Sequence, residues 1–96
     1  MLESCKRAMR IKTNAYDAEI TELIAAALAD LGLAGVLHTD DDPVPPVIRR
    51  AVVTYVRLHF GTPDDYDRLK ASYDEQKAQL QTSHLYTDYP EEEGDA

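Results

Sequence analysis

The stretch Val47 to Phe60, VIRRAVVTYVRLHF, constrains this chain more than any other. At about 100° per residue, Val47, Ile48, Ala51, Val52, Tyr55, Leu58 and His59 share one broad helical face. Val53, Val56 and Phe60 form a second apolar face nearly opposite, and Arg50, Thr54 and Arg57 make the polar strip between them. A surface helix carries one apolar stripe, whereas a helix apolar nearly all round is covered on most sides. β-Branched residues would also suit a strand. The absence of alternation, with Pro45-Pro46 before and Gly61 after, favours helix. The expectation is a central post, buried within its own domain or shared with another subunit.

Ninety-six residues suffice for one domain with a modest core. Cys5 is the only cysteine, so no internal disulfide framework is available and a reducing compartment fits. No run approaches the ~18 apolar residues of a membrane span, and a soluble, cytoplasmically assembled protein without membrane contact is expected. The net charge is −8. Bases dominate Met1 to Lys12, whereas from Asp88 onward there are five acids and no base. Such a balance disfavours nonspecific binding to nucleic acid, which needs a cationic face.

In chain order, Met1–Arg10 reads as a short helix with Leu2, Cys5 and Met9 on one side. Asn14 offers an N-cap, with Asp17 near the positive end of the helix dipole. A long amphipathic helix over about Ala15 to Leu31 follows, its core face Tyr16, Ile20, Leu23, Ile24, Ala27, Leu28 and Leu31. Gly32 is the expected C′ terminator. Leu33 to Pro46 is a loop, and its Asp40-Asp41-Asp42 run lacks the spacing and turn glycine of a calcium loop. Thr62 as N-cap, Pro63 at N1 and Asp64-Asp65 then announce a helix running to about Gln81. Its apolar residues Tyr66, Leu69, Tyr73 and Leu80 make a narrow seam, and Asp64–Arg68 and Lys70–Asp74 are expected pairs. The reading is all-α: a small bundle of about four helices in a single domain, residues 1–81. A C-terminal arm at 82–89 and a disordered acidic tail at 90–96 follow.

The search for chemistry is nearly empty. His38, His59 and His84 have no metal-ligand spacing, so no metal site is expected. Cys5 has no nearby histidine and no nucleophile motif surrounds it. The four glycines are isolated, which excludes a phosphate-cradling loop. No catalytic residue and no cofactor is therefore assigned, and an enzyme is not expected. What remains is surface. Val53, Val56 and Phe60 on the second face of the central helix, with Leu85, Tyr86 and Tyr89 on the arm, are candidate contacts to another subunit. Arg50 and Arg57 lie one above the other, with Arg49 on a different face, suited to phosphates or to a neighbour's carboxylates.

Several strings taken together resemble the small head–tail connector (DNA-packaging) proteins of long-tailed bacteriophages. The strongest is Phe60-Gly61-Thr62-Pro63-Asp64-Asp65-Tyr66-Asp67-Arg68-Leu69, continuing through Ser72-Tyr73 to Tyr86-Thr87. Arg50 to Tyr55, and Ile20 to Leu31 followed by Gly32, support it. The similarity spans roughly residues 2 to 89, and the acidic tail departs from it. The resemblance implies a helical virion protein, encoded by a phage or prophage. Such subunits form a dodecameric ring on the portal that extends the DNA channel and receives the next connector or the tail. DNA would be only transiting content of that channel. The runner-up is a small DNA-binding helical regulator, since Gly61 between two helices invites a helix-turn-helix reading. Its recognition helix would begin Asp64-Asp65, which is electrostatically wrong for contact with DNA. A helical adaptor unrelated to phages is the third class.

Overall fold

The computed structural model describes residues 1–87, and these are helical with no strand. The elements are α1 (Leu2–Met9), α2 (Asp17–Leu33), α3 (Pro46–His59), α4 (Tyr66–Gln81) and the one-turn α5 (His84–Thr87). The expected tail at 90–96, and Tyr89, lie outside the described residues.

Helix α3 is the post that the rest packs around. It contacts α1, α2 and α4, and Ile48, Ala51, Val52, Thr54, Val56 and Leu58 are all buried. Its second apolar face is absorbed by the subunit: Val56 is fully buried, while Val53 and Phe60 pack partly buried against the core. The Phe60 ring meets Tyr16 edge-on at 5.4 Å. Thr54, polar at a buried position, donates its hydroxyl to the Arg50 carbonyl at 3.1 Å, so its burial leaves no orphan donor. From α2 come Ile20, Ala27 and Leu31, and from α4 come Leu69, Tyr73 and Leu80. The α4 seam is as narrow as its spacing predicts, although its first member, Tyr66, is exposed.

The boundaries of α2 depart from the sequence reading at both ends. The helix begins at Asp17 rather than Ala15, and Asn14 does not cap it. Lys6 of α1 is buried and takes the oxygens instead, with Nζ 3.0 Å from Asn14 Oδ1 and 2.8 Å from Asp17 Oδ1. A buried ammonium needs acceptors more than an exposed helix end needs a cap. At the other end α2 runs through Gly32 and stops at Gly35, whose φ is +94°. The Val36 amide donates to the Leu31 carbonyl at 3.0 Å and the Gly35 amide to Gly32 at 3.0 Å, which is a Schellman ending. That motif favours an apolar contact between the residue after the left-handed position and the last turn, and here Val36 and Leu31 are both buried.

Helix α4 also begins later than its cap signal. Gly61 turns the chain at φ +66°, Asp64 and Asp65 form a turn, and Leu69 N–H donates to Asp65 C=O at 2.9 Å to open the ladder. Thr62 is exposed, outside the helix, and caps nothing. Arg68 pairs with Asp65 instead of Asp64, whereas the expected Lys70–Asp74 pair forms at 3.1 Å.

In its described part, the arm after α4 turns back on its own subunit. Ser83 starts the single turn of α5, and the Tyr86 carbonyl accepts the Leu37 amide at 2.6 Å. The Tyr86 ring packs partly buried against the core and meets His38 edge-on at 6.0 Å. Gln81 Nε2 adds a bond to the Ala34 carbonyl at 3.2 Å. The segment after α4 thereby closes over the end of α2.

Candidate interaction surface

Nothing on the described surface has the form of a catalytic centre. His38 pairs with Asp41 at 3.1 Å in an exposed loop, and His59 lies against Tyr55 with ring centroids 4.3 Å apart. Among the described residues no three His, Cys, Asp or Glu side chains converge to hold a metal ion. Cys5 is fully buried, and burial pushes its thiol above the ordinary value, against a smaller opposing effect of the N-terminus. A thiol held protonated inside a core is a packing residue.

The one polar cluster of note ties α2 to α4. The Tyr73 hydroxyl donates to Asp30 Oδ2 at 2.6 Å, and Lys77 Nζ reaches the same oxygen at 3.1 Å. The Tyr73 bond, followed by Lys77, lowers the Asp30 carboxyl below its usual range, although partial burial opposes this. Burial first and Asp30 second raise the Tyr73 phenol. Lys77 also sits 5.3 Å from the Tyr73 ring centroid. The Tyr73 ring in turn meets Tyr55 of α3 at 5.3 Å, so the cluster locks three helices together. Every polar group in it is matched to another, and that is a structural role.

The surface suited to a partner has two parts. At the end where α5 covers α2, Leu33 is 89 % exposed and Leu85 is 77 % exposed. Along the α3–α4 side runs a groove. Its end near α5, about 220 Å³, is walled by Val47, Arg50, Gln76, Leu80 and Tyr86, among others. Its continuation shares Arg50 and Gln76 and adds Arg49, Val53 and Arg57. Arg49, assigned by its helical phase to a different face, thus lines the same groove as Arg50 and Arg57. A helical wheel places residues about an axis but says nothing of a long side chain's reach across a neighbouring helix.

The five described interface candidates, Val53, Val56, Phe60, Leu85 and Tyr86, are dispersed over the subunit; Tyr89 lies outside the described residues. Val56 lies wholly inside the subunit, and Val53 sits on the groove floor. Phe60 borders a different hollow, with Met9, Pro63 and Leu69. Leu85 projects from α5, and Tyr86 is folded against its own subunit. Leu33 was missed because it stood at the edge of a loop in the sequence reading. Its signal would have been a leucine displaced from the core face once α2 extends through Gly32.

An all-helical phage connector subunit is what the sequence resemblance implied, and a direct comparison tests the family. The family model described as phage connector protein matches residues 1–87. The chain belongs to that family. The match covers every helix among the described residues, α1 to α5. No curated protein matches the chain, and no solved structure does. A phage connector is a structural protein, which accords with a surface offering docking features and no reacting groups. The family points to contact with portal or tail proteins and to a place in the virion. No helix among the described residues is long and apolar enough to cross a membrane.

Proposed function

We propose that this connector assembles into a closed ring below the portal, with the portal's twelve-fold symmetry. The ring would prolong the DNA channel and present a platform to the next connector or to the tail. The observation that carries this reading is Leu33 and Leu85, two nearly fully exposed leucines on the end formed by α2 and α5. Two leucines this open at one end of the subunit offer apolar area that a neighbouring copy or the portal would cover. Val53 in the groove, Phe60 at the neighbouring hollow, Tyr86 and, three residues on in the sequence, Tyr89 extend the proposed contact; fully buried Val56 has no surface to offer. The net charge of −8 supports a channel role, because DNA must slide past the ring without its phosphates being held. A DNA-reading regulator would need cations where α4 begins, and Asp64, Asp65 and Asp67 stand there instead.

Light scattering and electron imaging with the portal of the same phage test this. A ring is expected, and Leu33→Asp combined with Leu85→Asp should prevent its formation while the circular dichroism stays helical. A subunit that stays monomeric with portal present, or a ring that forms equally well with both aspartates, refutes the reading.

A further inference from the structure

Helices α2 and α3 carry opposite charge: α2 has four acids and no base, and α3 has three arginines and no acid. Their outward faces also lie on opposite sides of the subunit. α2 touches α1 and is tied to α4 through Asp30, Tyr73 and Lys77, so it fills the space between α1 and α4 on one side of α3. The groove opens on the other side, floored by Arg50, Val53 and Arg57 and walled by Ser4 of α1 and Gln76 of α4. Among the described residues no acid lines this groove, and neither Arg50 nor Arg57 makes an ion pair. On α2, Ile20, Ala27 and Leu31 point into the core, while Ala18, Glu22, Ala25, Ala29 and Leu33 are exposed. At about 100° per residue these exposed side chains fall within about 80° of one another, opposite the buried face.

We propose, building on the ring reading, that the outward face of α2 seats in the α3–α4 groove of the next copy. Glu22 meets Arg57, and Leu33 enters the apolar end of the groove beside Val47, Leu80 and Tyr86. Two different surfaces on opposite sides of one subunit make a head-to-tail contact, the kind that closes into a ring. The levels of the two surfaces agree. Tyr16, just before α2, touches Phe60, just after α3, so the start of α2 lies beside the end of α3. At the other end, α5 closes over α2 and its Tyr86 lines the groove with Val47. With the ring axis along the helices, rotation to the next copy keeps every residue at its own level. Glu22 to Leu33 then spans about 16.5 Å of α2, and Arg57 to Val47 about 15 Å of α3, in the matching direction. An acid therefore reaches the arginine end of the groove as a leucine reaches its apolar end. The alanines between them let the two helices approach to roughly the 8–10 Å of packed helices. Arg50 stands at the last turn of the neighbouring α2, where the helix dipole is negative. The guanidinium of Arg57 suits a carboxylate through paired hydrogen bonds.

Charge reversal in the full chain, read by electron imaging and light scattering with the portal of the same phage, tests the contact. Arg57→Glu alone and Glu22→Arg alone should each abolish rings while the circular dichroism stays helical. The two combined exchange the charges at every junction of the ring and should bring rings back, which loss of folding or of general surface charge would not do. A parent chain that forms no ring refutes the ring reading and this contact with it. If the parent forms rings and both single variants form them equally well, the ring stands and the seating of α2 is overturned. Rings lost with Arg57→Glu and not restored by the double variant assign the groove to carboxylates outside α2, on the portal or elsewhere, and overturn it as well.

Discussion

Replacing Asp17 by alanine should destabilise this connector far more than an exposed carboxylate at a helix start ordinarily does. The reason is Lys6, 6 % exposed, whose ammonium is ion-paired with Asp17 Oδ1 at 2.8 Å and donates to Asn14 Oδ1 at 3.0 Å. Removing one partner of a buried ion pair typically costs about 3–5 kcal/mol, because the other charge is left in a low dielectric. Two features reduce that here. The Asp17 side chain is 34 % exposed, so the pair is partly screened, and Asn14 remains as an acceptor. A cost of about 2 kcal/mol follows, including the few tenths that an acid at the start of α2 contributes through the helix dipole. For a domain of this size that lowers Tm by roughly 8–16 °C. Lys6→Met removes the charge that needs solvation and keeps the side-chain volume, so its cost should stay within about 1 kcal/mol. Urea unfolding followed by circular dichroism gives both values, and the double variant closes the cycle. Lys6→Met should rescue most of the loss in Asp17→Ala. If Asp17→Ala costs under about 0.5 kcal/mol, Lys6 reaches water and the argument fails; if Lys6→Met costs as much as Asp17→Ala, the pair itself stabilises and the orphaned charge is not the cause.

Three further outcomes follow from the packing. Tyr73→Phe deletes the bond to Asp30 and should cost about 1–2 kcal/mol. Because Asp30 titrates below its ordinary value of 3.8 in the folded chain, its contribution is present above that pH and lost as pH falls through the folded value. The acid limb of a stability–pH curve should therefore be shallower in Tyr73→Phe than in the parent. Gly35→Ala should destabilise by about 1 kcal/mol because its φ is +94°, whereas Gly32→Ala, inside α2 with its new Cβ 3.7 Å from Thr39 Oγ1, should stabilise by about 0.5–1 kcal/mol. Thermal melts of the two variants would move in the same direction only if α2 ended elsewhere. Thr62→Ala should change stability by less than about 0.5 kcal/mol, since Thr62 is exposed and caps no helix, and a loss near 1 kcal/mol would restore it as a cap.

The sequence by itself determined the helices and the central place of α3. Helical periodicity is a local property: it needs only the spacing of apolar side chains, and Ile48, Ala51, Val52 and Leu58 declare the buried face of α3 without reference to any neighbour. The family, too, was legible in residues 60–69 and the strings around them. Tertiary structure decided the ends of helices and the surface. Asn14 and Thr62 carry good capping chemistry, yet a cap contributes about 1 kcal/mol and yields to stronger demands. Lys6 needed acceptors once it was buried, and the chain had to travel from α3 into α4 before Leu69 and Tyr73 met the core. Gly32 and Gly35 both qualify as terminators, and burial of Val36 chose the second. The surface depended most on the assembled fold. Val56 disappeared into the core, Tyr86 closed over its own subunit, and Arg49 joined Arg50 and Arg57 in one groove, because exposure is a property of what packs alongside and no residue carries it alone.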